Sequence, residues 1–237
     1  MNIRLFVLIG VFTLLLTGCL YPKDPSTKFP DETEVKRVQD AVIAFQKEND
    51  GILPIKTKDA DTDLYIKYLI DFRRIVPQYL SEIPKNAYEN GGIFQYVIID
   101  AETDPKVKIF DLHIVEKIRE IQLRLSTKKY PPYKEQLAAD VFTLDFSKLG
   151  YHEDPFIVSP FTGQQLPFVI NGRGDLFLDY TGDLLVRLKE MDQTDFKENE
   201  DIRWILTEGS IFVPAYSLPY TVNEEGEPIF FEKKFEN

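Results

Sequence analysis

The 237-residue chain has little cysteine or histidine and no surplus of positive charge: one Cys, two His, and 28 Lys+Arg against 39 Asp+Glu, a net charge of −11. A single Cys excludes an intrachain disulfide framework and any multi-cysteine zinc or iron–sulfur site. The acidic balance argues against nucleic acid as a partner, because the basic footprint such binding needs is missing. The longest apolar run, Leu5 to Leu16 interrupted only by Gly10 and Thr13, is 12 residues, short of the about 20 that cross a bilayer. No G-x-S-x-G, G-x-G-x-x-G or P-loop occurs. The chain is instead rich in apolar side chains, with a hydrophobic content of 43% and 13% aromatics, too much for disorder and sufficient for a real core.

Residues 1–18 read as an export signal: Arg4 in a short n-region, the apolar run, then small residues. The run ends in Leu16-Thr17-Gly18-Cys19, which resembles the bacterial lipobox of a branched apolar residue, two small residues and Cys. The resemblance implies a diacylglyceryl group on the Cys19 sulfur and signal-peptidase cleavage between Gly18 and Cys19. Two acyl chains, at about 0.8 kcal/mol per buried CH₂, hold a protein stably where one does not. Arg4 is the only charged residue in 1–18, so cleavage leaves a body of charge −12, repelled by anionic lipid. The expectation is a protein held by its lipid on the outer, extracytoplasmic face of the cell membrane. Residues 19–30 contain Pro22, Pro25 and Pro30 and predict an extended tether of about 3.1 Å per residue, a standoff of roughly 35 Å.

The body reads as α+β. Asp31 is placed to cap a helix with Glu34 three positions on; Val35, Val38, Val42 and Phe45 come next at helical spacing until Asn49-Asp50-Gly51 stops it. Ile114, Ile118, Ile121 and Leu125 mark a second helix. The segments after the two helices match in order: Pro54 and Pro131-Pro132; Asp71-Phe72 and Asp145-Phe146; Ile83-Pro84 and Ser159-Pro160; Gly91-Gly92 and Gly163. The strands Phe94–Ile98 and Leu166–Ile170 match next, each turning into a further strand, Val107–Phe110 and Leu176–Tyr180. A third short strand is expected over Leu184–Leu188. We read two diverged units of a helix on a small antiparallel sheet, 31–111 and 112–189, packed together. Residues 190–237 form an acidic segment and a β-rich extension packed on the second unit, with Asn223-Glu224-Glu225-Gly226 turning its last hairpin.

Candidate chemistry is sparse. Asp59-Ala60-Asp61-Thr62-Asp63 imitates the start of a calcium loop, but Leu64 and Ile70 stand where Gly and Glu are needed, so it reads as a solvated loop. His113 and His152 have no HxxxH partner and read as structural or surface side chains, leaving no metal or cofactor site. Arg173-Gly174-Asp175 spells an adhesion tripeptide but reads as a hairpin turn. No catalytic residue is assigned. The aromatics Tyr65, Tyr68, Phe72, Tyr79 and Tyr88, and later Phe212, Tyr216 and Tyr220, read mostly as core.

The lipobox, the length and the aromatic-rich Tyr/Pro/Gly units resemble the uncharacterised YphF-like lipoproteins of the Bacillus group, a resemblance that implies localisation and brings no activity. The order helix, Pro, then Pro84 through Gly91-Gly92 to Phe94 and Tyr96 also resembles the heads of type II secretion pseudopilins, without their leader or early mature Glu. The function expected is a non-enzymatic envelope lipoprotein that binds or scaffolds an envelope protein or polymer; the alternative is an extracytoplasmic carboxylate-based enzyme on cell-wall glycan or peptide.

Overall fold

A computed structural model describes residues 29–56, 58–191, 196 and 200–231. Gly18 and Cys19, with the export signal, most of the tether and much of the acidic run, lie outside the described residues.

Asp31 caps the first helix, α1 (Glu32–Glu48), accepting from the backbone N–H of Thr33 at 2.9 Å and of Glu34 at 3.3 Å, donors a helix start otherwise leaves orphaned. Glu34 does not bond back to the cap; its carboxylate meets Arg37 at 2.8 Å. A short helix α2 (Leu64–Lys67) leads into a three-stranded antiparallel sheet of β1 (Tyr68–Leu69), β2 (Phe94–Ile99) and β3 (Lys106–Asp111). Strand alternation sends Phe94, Tyr96, Ile98, Val107 and Ile109 to the face that takes Val35, Val38, Ala41, Val42 and Phe45 of α1. Val97, Ile99 and Phe110 pack on the other side with Tyr65, Val213 and Ala215. Gln39 fastens helix to sheet, donating to Pro105 O at 2.9 Å and accepting from Val107 N at 2.6 Å.

The second half begins with α3 (His113–Leu125), which buries Ile114, Ile118 and Ile121. They pack with Leu166, Phe168, Ile170, Leu176 and Leu178 from a sheet of β4 (Tyr133–Ala138), β5 (Val141–Leu144), β6 (Phe156–Val158), β7 (Gln165–Asn171) and β8 (Leu176–Leu178). The architecture is α+β with antiparallel sheets. Some pairs in the two sheets occupy similar places, while β4 and β6 have no counterpart in the first sheet. Tyr96 faces Ile109 as Phe168 faces Leu178, and Tyr68 faces Ile98 as Phe142 faces Ile170. Asp71 N donates to Pro54 O and Asp145 N to Pro132 O, both at 2.8 Å. Each of these Asp residues opens a 3-10 turn, Phe72–Arg74 and Phe146–Leu149.

The expected strand over Leu184–Leu188 is a helix, α4 (Thr181–Glu190). An apolar run of five residues does not distinguish strand from helix; here Leu184 and Leu188 fall one turn apart on the core side, and Asp183 in the first turn suits the positive helix end. The hairpin β4–β5 has no counterpart among the elements expected from sequence. The chain closes with α5 (Trp204–Thr207) and the hairpin β9 (Tyr220–Val222) and β10 (Pro228–Phe230).

The C-terminal segment serves both halves, not the second alone. Ile202, Ile205, Leu206 and Tyr220 join the second core while Val213 and Ala215 cover the first sheet. Between them, residues 211–217 run parallel beside β3 and then β8. Ile109 N donates to Ile211 O at 2.8 Å, Val213 N to Ile109 O at 3.1 Å, and Leu178 N to Tyr216 O at 2.8 Å.

Candidate binding pocket

All six residues of β2 are buried, and one of them is polar: Gln95, 6% exposed. Burying an amide is costly unless its groups are bonded, so its surroundings matter. Its Nε2 donates to Glu89 Oε1 at 3.3 Å, and Lys56 Nζ pairs with the same carboxylate oxygen. Because a carboxylate accepts and cannot donate, this contact orients the Gln95 amide and leaves Oε1 as its free acceptor. Glu89 Oε2 is buried without a hydrogen-bond partner among the described residues. The turn Tyr88–Asn90 ends at Gly91, with φ of +83°, and brings Gly92 against Asn86; a Cβ on Gly92 would lie 2.1 Å from the Asn86 backbone.

A pocket of about 350 Å³ opens where β2 passes the start of α3. Gln95 and Gly92 line it together with the apolar Ile93, Leu112 and Val115. At its edge stand Tyr88, 61% exposed, and three residues of α3, His113, Glu116 and Arg119. Asp111 fixes His113: its Oδ1 lies 2.8 Å from both the backbone N and Nδ1 of that residue. Lys117 and Arg124 both reach Glu120, at 2.7 and 3.6 Å. The side chains of Glu116 and Arg119 form neither an ion pair nor a hydrogen bond within the described residues. Although spaced to meet across one helical turn, they do not, so the pocket presents an unpaired cation and an unpaired anion side by side.

Other charged clusters hold the fold together. Arg203, its side chain 3% exposed, reaches Asp63 at 2.9 Å, Asp201 at 2.8 Å and Ser217 Oγ at 3.0 Å, and lies over the Tyr65 ring. Asp183 is fully buried; Ser159 Oγ donates to it at 2.6 Å and Thr162 Oγ1 bonds its other oxygen. Burial pushes its carboxyl above the usual Asp range, against the opposing pull of those two hydroxyls. Asp179 accepts from Thr181 N at 2.8 Å and Tyr220 OH at 2.9 Å.

The residues singled out in the sequence are dispersed. Asp63 of the calcium-like loop caps α2 and pairs with Arg203, while Asp59 and Asp61 are exposed; among the described residues no three His, Cys, Asp or Glu side chains form a metal cluster. Arg173-Gly174-Asp175 lies in a turn closed by Asn171, whose Oδ1 accepts from Arg173 N at 3.1 Å and Asp175 N at 2.8 Å. The turn at Asn223 repeats these bonds with Glu225 N and Glu227 N. His152 stands exposed on a surface bend. His113, read as a surface side chain, is exposed but belongs to the pocket. Motif and spacing rules do not single out Gln95, although a lone amide within Phe94–Ile99 is a visible break in an apolar strand.

No curated protein and no solved structure matches the chain. Residues 31–111, from the cap of α1 to the aspartate that holds His113, match the YphF family N-terminal domain.

Proposed function

We propose that this is a YphF-type lipoprotein, anchored through a diacylglyceryl group on Cys19 to the extracytoplasmic face of the cell membrane, whose body binds or scaffolds an envelope protein or polymer without catalysis. The observation that carries the anchor is Leu16-Thr17-Gly18-Cys19 at the end of a 12-residue apolar run. The match over 31–111 supports the family reading. Support for a binding body comes from how its buried ionisable groups are used: Arg203 joins distant segments, and the oxygens of Asp183 are held by Ser159 and Thr162. A carboxylate enzyme needs two acids facing one cleft, one of them held protonated; among the described residues the carboxyl pushed upward, Asp183, is fully buried.

Growth with an alkyne fatty acid tests the anchor. The full chain is expected to take label and sediment with membranes, while Cys19→Ser takes none and retains its signal. Equal labelling of both proteins would reject the reading. Crosslinking from the anchored body should then recover an envelope component that an untethered control does not.

A further inference from the structure

The pocket at the start of α3 combines an acceptor on a largely buried side chain with an exposed cation. Gln95 is more than nine-tenths buried, its Nε2 is engaged by Glu89, and its Oε1 has no partner among the described residues. Arg119 lines the same pocket with its guanidinium unpaired. A ligand that satisfies both must bring a hydrogen-bond donor and an anion together. A guanidinium binds a carboxylate through two parallel N–H bonds, and in a peptide the C-terminal carboxylate and the last backbone N–H belong to the same residue. The apolar Ile93, Leu112 and Val115 and the exposed ring of Tyr88 offer cover for small side chains. Glu116, unpaired beside Arg119, disfavours a carboxylate anywhere but at the guanidinium.

We propose that this pocket takes the C-terminal end of a short peptide, its carboxylate on Arg119 and its last backbone N–H on Gln95 Oε1. The proposal deepens the binding reading of the body and does not depend on the lipid: fatty-acid labelling decides the anchor, and a titration decides the pocket.

The test uses the full chain in detergent micelles, titrated calorimetrically with N-acetyl-alanyl-alanine, its C-terminal amide, and acetate. A ligand of this size in an open pocket is expected to bind with a Kd of about 1 mM. Capping the carboxylate as the amide should weaken binding roughly tenfold or more, and Arg119→Ala should do the same to the free acid. Arg119 is exposed, so the variant should keep the wild-type melting temperature, and Arg119→Lys should recover part of the affinity. Equal binding of acid and amide, an undiminished Arg119→Ala, or no heat with any probe would overturn the proposal. Acetate binding as tightly as the peptide would overturn the Gln95 contact and with it the peptide assignment.

Discussion

Asp183 shows what a buried carboxyl does to stability. With both oxygens bonded to hydroxyls and no counter-charge among those partners, burial raises its folded pKa. The unfolded value is about 3.9. Between these two values the folded state holds the extra proton, so stability falls as pH rises, and the loss is complete above the folded pKa. Asp183→Asn removes that dependence while keeping the side chain's shape. Urea unfolding between pH 4 and 8 should give a wild-type-minus-variant difference that declines with rising pH and then levels; a flat difference would show that the carboxyl is not perturbed. The depressed carboxyls, Asp71, Glu120 and Asp145, act in the opposite sense, but they are common to both proteins and cancel.

Among the elements, the turn from Tyr88 to Gly92 decides how the pocket wall meets β2. Its close approach to Asn86 leaves no room for a Cβ on Gly92. Gly92→Ala should therefore destabilise by about 1–3 kcal/mol through backbone displacement, read as a lower denaturant midpoint at unchanged slope. An unchanged midpoint would mean that the turn yields freely.

Elements are also the scale at which sequence is most legible. Pro, Asp-Phe and Gly punctuate the chain where the backbone needs a turn, and the apolar runs holding Tyr96 and Phe168 each form a strand paired with the one that comes next in the chain. The hairpin β4–β5 gives no such signal, because Tyr133–Ala138 is an exposed edge with charged and amide side chains and no buried alternation. α4 differs from the expected strand because its apolar positions fit either period. The pocket is only half visible: Gln95 stands out in an apolar strand, but the Glu89 that holds its amide is in turn paired with Lys56 from far back in the chain, a convergence no spacing rule signals.

For the whole molecule, Arg203 joins parts of the chain far apart in sequence. It links Asp63 and Tyr65 before the first sheet to Asp201 and Ser217 near the end. Removing one partner from a buried ionic cluster costs more than the pair is worth, because the remaining charges lose their counter-ion. Arg203→Ala should destabilise by about 3–5 kcal/mol, and Arg203→Lys should recover only part of that, since one ammonium cannot reproduce a planar fork of donors. Chemical denaturation would measure both; a loss below about 1 kcal/mol would show that the cluster is not a fastening point.

The segment 211–217 has a consequence for where this protein can be divided. It lies beside β3 and β8 in turn, so each sheet edge borrows a bridge of backbone hydrogen bonds from the far end of the chain. A fragment ending at Asp111 would contain the whole family match and still lack the backbone that bonds Ile109 and the side chains of Val213 and Ala215 that cover Val97 and Phe110. Its last strand would be a bare template for another chain. The unit that similarity recognises is therefore smaller than the unit that folds, and truncations drawn at the end of the match would invite aggregation.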